Sequence, residues 1–250
     1  MLLEVKKLNK KFGSVIAADN INFSMDGSEV IGIIGSNGAG KTTFCNIITG
    51  YIKKDEGEII FKGKDISDFG VIDIKNIGIH RSFQIPQIFD SLSVLENVMI
   101  SNLVANKKQY SFSQLAYDKK NMNDAKTILK QFNIFEFANR KAGLLPQGAR
   151  KILDILITIL GRPSIVLLDE PTSGISTEEK FTVMNHALKA IKKLNIAVLF
   201  IEHDMDIIKK YSNRVLAFYN GKIIADGIPQ NVLQQKDVLN FIVGNSNVED

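Results

Sequence analysis

"GSNGAGKT", Gly35 to Thr42, decides how the chain is read. It follows the apolar run "EVIGII" and precedes the helix-like "TTFCNIITG", so it joins a buried strand to the start of a helix. Its spacing, G-x-x-x-x-G-K-[ST], is that of a phosphate loop. Glycines let the backbone wrap phosphates and aim N–H groups at them, and the helix N-terminus adds a favourable dipole. On this reading Gly35, Ser36, Asn37, Gly38, Ala39, Gly40, Lys41, Thr42 and Thr43 form a nucleotide cradle. Lys41 reaches the β- and γ-phosphates, and the Thr42 hydroxyl ligates Mg2+.

Working outward, two more apolar runs end in chemistry. "SIVLLDE" places Asp169 and Glu170 at the end of a buried strand, where two carboxylates are costly unless a metal or substrate uses them. Asp169 suits a Mg2+ held through water; Glu170, pointing the other way, suits a base that polarises an attacking water. His203, in "FIEHDM", follows another buried strand and can donate a hydrogen bond to the γ-phosphate. Gln84 ends "IGIHRSFQ", where a neutral side chain can contact Mg2+ and water.

The rest of the chain frames these residues. Short strands are expected at "LEVKKL", "VIAADNINFSM", "GEIIFKG" and "IGIHRSF". From about residue 90 to 160 the pattern turns helical. Ser93 and Glu96 have capping-box spacing, and "NDAKTILKQFNIF" and "GARKILDILITIL" carry apolar residues three and four apart. Ser176 and Glu179 form a second such pair, Asn220-Gly221 marks a hairpin, and short helices are expected after Gly227. This alternation argues for an α/β core with buried strands, interrupted by a helical insertion.

Composition narrows the function. A chain of 250 residues that is 45% apolar is long enough for one large domain, or one domain with a subdomain. Its net charge of +4 comes from lysines spread along the chain, which argues against a dedicated nucleic-acid partner. A single cysteine, Cys45, excludes an internal disulfide framework and a multi-cysteine metal site; its expected role is a small apolar residue on a helix. No run approaches the ~18 apolar residues of a membrane span, and the N-terminus lacks a signal peptide's apolar region. The expectation is a soluble, cytoplasmic protein able to dock on a membrane protein.

Taken in order, these residues resemble the nucleotide-binding subunit of ABC transporters over nearly the whole chain. Gly35–Thr42 is similar to the Walker A motif, Gln84 to the Q-loop, Ile165–Glu170 to Walker B and His203 to the switch histidine. Phe12, in "KKFG", resembles the aromatic residue that stacks on adenine; its plainer alternative is an aromatic packing a strand edge. Within the family, "RSFQIPQIFDSLSVLENVMI" and "IEHDMDII" look most like the ATPases of branched-chain amino acid importers, with urea importers as near neighbours.

The resemblance implies one ATPase domain with a P-loop NTPase (RecA-like) α/β core, an N-terminal antiparallel β subdomain and an inserted helical subdomain. Residues 1–89 and 161–250 would form the core and β subdomain, and about 90–160 the helical one. It implies ATP and Mg2+ as cofactors, Glu170 as general base, and Lys41 and His203 stabilising charge on the phosphoryl group. It implies a head-to-tail dimer that closes on ATP and drives a transmembrane permease through Gln84 and the helical insertion. The protein would be cytoplasmic and peripheral on the inner face of the cell membrane, with an extracytoplasmic solute-binding protein in the complex but not in direct contact.

One turn departs from the pattern. "LPQGA", Leu145 to Ala149, stands where the family carries L-S-G-G-Q. Pro146 offers neither hydroxyl nor N–H, though it suits the first turn of a helix; Gln147 replaces a Gly, Gly148 remains, and Ala149 replaces the Gln. Losing a charge-assisted hydroxyl contact costs roughly 1.5–3 kcal/mol. The favoured expectation is pairing with a different ATPase subunit, and a working variant in a homodimer is the alternative. "EPTSGIS" also ends in Ser176 where many relatives carry Asp, and Ser176 can serve as a helix cap. Two other classes stay open: a soluble ABC protein of DNA repair or translation, and a module that reads ATP without hydrolysing it. A single cassette without sustained heptads argues against the first. Intact Lys41, Asp169, Glu170 and His203 argue against the second.

Overall fold

Strands β1 (Leu3–Phe12) and β2 (Val15–Met25) bury Leu3, Val5, Leu8, Ile21, Phe23 and Met25 while their neighbours face outward, the alternation of a half-covered antiparallel sheet. Strand β3 (Val30–Gly35) is buried nearly throughout and feeds α1 (Lys41–Ile48). The chain continues through β4 (Glu56–Phe61), β5 (Lys64–Asp65), α2 (Val71–Ile77) and β6 (Ile79–Arg81). A helical stretch follows: α3 (Val94–Ala105), α4 (Lys119–Gln131), α5 (Gln147–Ile159). Then come β7 (Ile165–Asp169), α6 (Thr177–Lys193), β8 (Ala197–Ile201), α7 (Met205–Tyr211), β9 (Arg214–Tyr219) and β10 (Lys222–Gly227). Short helical turns at Pro229–Val232 and Lys236–Val238 and a π-turn at Leu239–Val243 are the last elements among the described residues. The structure, a computed structural model, describes residues 1–82, 88–105 and 119–243.

These elements divide into two compact units. The first takes the described residues of Met1–Arg81, Ser164–Glu170 and the chain from Ala197 onward; the second takes those of Ser82–Pro163 and Pro171–Ile196. Among the described residues the first unit holds an antiparallel sheet in the order β2-β1-β4-β5 and a second sheet in the order β10-β9-β3-β8-β7-β6. In the second sheet β6, β7, β8, β3 and β9 run parallel, and β10 returns antiparallel through Asn220-Gly221, both residues at positive φ (46° and 76°) as a type I′ turn demands. This is the P-loop NTPase core with its antiparallel β subdomain.

Register sets the working edge. Ile201 of β8 pairs with both Ile33 of β3 and Asp169 of β7, so these three strands end level with one another. Gly35, Glu170 and His203 therefore leave the sheet at the same carboxyl edge, where open α/β sheets bind their ligands. Helix α1 is fastened by Phe44, fully buried, edge-on to Phe23 of the antiparallel sheet (5.7 Å) and tilted against Phe218 of the parallel one (5.3 Å).

In the second unit, the Ser93–Glu96 box is complete. The Glu96 carboxylate accepts from the Ser93 amide and hydroxyl (2.7 Å each), and the Ser93 hydroxyl accepts from the Glu96 amide (3.2 Å). Helix α4 ends at Gln131, short of the expected Phe135. Asn133 takes a left-handed φ of 55°, and the Ile134 amide turns back to the Leu129 carbonyl at 3.1 Å, closing the helix before a 3-10 turn at Phe135–Phe137. The strand expected at "IGIHRSF" also shortens. Ile77 belongs to α2, which ends on left-handed Gly78, leaving only Ile79–Arg81 to pair with β7.

Replacing Phe44 by Ala should destabilise the protein by about 3–5 kcal/mol, because the cavity would open between α1 and both sheets. Urea unfolding of the full chain measures this. A loss near that of a surface substitution would show that α1 is not anchored there.

Candidate nucleotide site

The phosphate loop is built by what presses on it. Gly40, the N-cap of α1, has φ 103°, and a Cβ added there would stand 2.3 Å from the Ala17 carbonyl oxygen. No side chain fits. Next to it, the Ala39 carbonyl accepts from the Gly221 amide (3.0 Å), whose own carbonyl accepts from the Asp19 amide (2.9 Å). Strand β2 and the β9–β10 hairpin thus clamp the loop from one side. The start of α1 carries no side-chain cap and no acidic residue in its first turn. Asn37, Gly38 and Thr42 are exposed, Ser36 and Thr43 half-buried, and Gly35, Ala39 and Gly40 buried.

Lys41 is buried, and its ammonium donates to the carbonyls of Gly35 (2.6 Å) and Ser36 (2.9 Å). Burial lowers its pKa from the ordinary lysine value, while Glu170 and Asp169 pull the other way. Both carboxylates therefore lie within electrostatic reach of the amine. Burial pushes the neighbouring Cys45 thiol up to about 12, so it packs as an apolar residue and is inert, as expected from sequence.

At the strand edge, Glu170 has φ 49°, a left-handed conformation that costs a non-glycine residue of order 1–3 kcal/mol and is found where surroundings over-determine it. Its amide is held by the Ile201 carbonyl at 3.1 Å, and its carboxylate lies 3.3 Å from His203 Nε2. His203 is half-exposed. Asp169 Oδ2 accepts from Arg81 at 2.6 Å, and among the described residues Oδ1 has no hydrogen-bond partner. Lys41, Asp169, Glu170 and His203 are thus brought together in one unit at the carboxyl edge of its parallel sheet.

The fit to a metal follows from the donors present. No cluster of three or more His, Cys, Asp or Glu side chains occurs among the described residues. The exposed Thr42 hydroxyl and Asp169 Oδ1 are hard oxygen donors, the set suited to Mg2+ that keeps waters and takes its remaining ligands from phosphate.

Other expected site residues fall elsewhere. Phe12 ends β1, 47% exposed, with the Lys10 ammonium 5.3 Å from its ring centre; it does not pack into the core. Gln84 lies outside the described residues. In the second unit Leu145 is extended and Pro146 is the N-cap of α5, one position before the first turn expected for it, because a residue ahead of proline is driven to extended backbone and proline itself holds ψ 149° here. Pro146 offers no capping oxygen. The amides of exposed Gln147, buried Gly148 and half-buried Ala149 open the helix without a side-chain cap or acid. Gly148 faces α6: a Cβ there would touch Val183 at 3.4 Å, ordinary contact. Ser176 caps α6, its side chain accepting from the Glu179 amide at 3.4 Å.

Sequence reasoning missed Arg81 and Asn46. Arg81 spans from Asp169 to Asn46 Oδ1 on α1, with only 5% of its side chain exposed. The available signal was a basic residue ending an apolar run, "IGIH", just before Gln84.

Fold and loop together define a P-loop nucleoside triphosphatase. Residues 18–173 match the ABC transporter family, more than half of the chain. A probable branched-chain amino acid transport ATP-binding protein, LivG, of Methanocaldococcus jannaschii is 34% identical over 97% of both chains. The high-affinity branched-chain amino acid transport ATP-binding protein BraF of Pseudomonas aeruginosa is 32% identical over 97% of this chain and 98% of its own. A solved structure of the ADP conformation of MJ1267, an ATP-binding cassette of an ABC transporter, superposes with a TM-score of 0.83 at 32% identity, covering 96% of this chain and 97% of that one. The chain belongs to the ABC transporter family, and it is an ABC-type ATPase.

Lys41→Met tests the cradle. A lysine whose folded pKa is lowered costs stability wherever it is protonated in both states; that cost is fully present below the folded value and fades as pH rises through it. The variant should therefore melt no lower than wild type without nucleotide, while losing the rise in melting temperature that ATP produces. A variant that melts lower but keeps the ATP-dependent rise would contradict this placement of Lys41.

Proposed function

We propose that this chain is the ATP-binding and ATP-hydrolysing subunit of an importer for branched-chain amino acids, and that its two units act as one ATPase domain over residues 1–250. Full-length similarity to proteins named for branched-chain amino acid transport supports the solute class. The observation that carries the catalytic reading is the meeting of Lys41, Asp169, Glu170 and His203 at one strand edge.

In this reading the loop amides of Ser36 to Thr43 and the Lys41 ammonium hold the phosphates of ATP, and the exposed ring of Phe12 stacks on adenine. Glu170, fixed by its backbone at the strand end, takes a proton from the attacking water as general base. His203, 3.3 Å away, orients that carboxylate and donates toward the γ-phosphate. Lys41 offsets charge as it shifts onto the leaving phosphate. The Thr42 hydroxyl and Gln84 would hold Mg2+ directly and Asp169 through water, and the ion bound there would supply neutralisation of the phosphate oxygens.

ATP would be closed over by the signature turn of a second ATPase subunit in a head-to-tail dimer. This chain's own turn, Leu145 to Ala149, gives back only the amides and dipole of α5, because Pro146 supplies no oxygen. A chemically distinct partner with a complete signature fits that asymmetry best. Gln84 and the helical unit would pass closure to a transmembrane permease. No helix among the described residues is long and apolar enough to cross a membrane, which fits a subunit that docks peripherally on the inner face. An extracytoplasmic solute-binding protein would complete the complex without touching this chain.

Glu170→Gln should bind ATP as wild type does and lose about 100-fold or more of turnover, the share a positioned base supplies. The assay is phosphate release by the complex with permease and second ATPase subunit. Normal turnover by the variant would remove Glu170 from the chemistry.

A further inference from the structure

The Arg81 guanidinium bridges two elements of the first unit. One nitrogen donates to Asp169 Oδ2 at 2.6 Å, at the end of β7, and another to Asn46 Oδ1 on α1, the helix that opens with the phosphate loop. Its side chain is 5% exposed and the Asp169 side chain 14%. A buried ion pair is weak evidence for stability, because well-packed apolar residues of similar volume usually do as well or better. What an arginine gives here that a hydrophobe does not is direction. It takes one oxygen of Asp169 and leaves the other without a hydrogen-bond partner among the described residues.

A second cation makes the direction matter. Lys41 also lies in the field of Asp169 and Glu170, and its ammonium rests on the loop carbonyls of Gly35 and Ser36. Without Arg81, Lys41 would be left as a cation whose field reaches the Asp169 carboxylate, and a contact between them would draw the carboxylate from the metal position.

Resting on the reading of Asp169 as the carboxylate that faces Mg2+, we propose that Arg81, braced by Asn46, is a positioning residue that pins Asp169 Oδ2, keeps the carboxylate off Lys41 and reserves Oδ1 for a metal-bound water. Arg81 touches neither nucleotide nor metal. Its effect reaches them through one carboxylate, as the outer partners of metal ligands do.

The test is equilibrium binding of a fluorescent ATP analogue to the full chain, in EDTA and across a Mg2+ titration, with thermal melts as a check on folding. Arg81→Met should leave binding in EDTA unchanged and raise the Mg2+ concentration for half-maximal effect by about tenfold. Arg81→Lys, which restores the charge but not both bonds, should fall between. Asp169→Asn should raise the Mg2+ requirement by itself, and adding Arg81→Met to it should raise it no further. A folded Arg81→Met protein with a wild-type or lower Mg2+ requirement overturns the proposal. Should Arg81→Met fail to fold, a wild-type Mg2+ requirement in Arg81→Lys overturns it instead. An Asp169→Asn variant with wild-type Mg2+ dependence overturns the metal reading of Asp169, and the proposal falls with it.

Discussion

Between the Ala17 carbonyl and Gly40 there is no room for a methyl group. Strand β2 and the β9–β10 hairpin press directly on the backbone of the phosphate loop, and the loop answers with a glycine at φ 103° and a carbonyl bonded to Gly221. That contact fixes where α1 begins. Phe44, wedged between Phe23 and Phe218, fixes the way it runs. With the helix start held against the sheet, the level ends of β3, β7 and β8 bring a lysine, two carboxylates and a histidine to one edge.

The charges at that edge are arranged in pairs that leave something over. Arg81 takes one oxygen of Asp169, His203 stands by Glu170, and Lys41 rests on two loop carbonyls rather than on a carboxylate. Buried charge without a compensating partner is expensive. Each group here has a compensating partner. Strain at Glu170 fits the same logic, since a left-handed glutamate persists only where its surroundings hold it.

Much of this was legible in the residues. The phosphate loop announced itself by spacing, the carboxylates by ending an apolar run, the hairpin by Asn220-Gly221 and the α3 cap by Ser93 and Glu96, because each is a local signal with a local cause. What stayed hidden is non-local or a matter of termination. The bond from Arg81 to Asp169 joins residues far apart in sequence, and nothing near either announces the other. The early end of α4 turned on a left-handed Asn133, and Pro146 proved a cap rather than a first-turn residue; element ends are set by one or two dihedrals that periodicity does not see.

The signature turn ties chemistry to assembly. Its helix starts on a proline with no side-chain oxygen to offer, so this chain has a well-furnished strand edge and a poorly furnished turn. On the proposed reading, such a subunit gains most from a partner unlike itself. The direct measurement is the light-scattering mass of the Glu170→Gln chain, once it is known to bind nucleotide, with and without Mg2+ and ATP. The account predicts a monomer in both conditions when the chain is alone, and a one-to-one complex once ATP and the second ATPase subunit are both present. A homodimer formed by the chain alone with ATP would show that "LPQGA" closes the sandwich unaided and would contradict the pairing argued here.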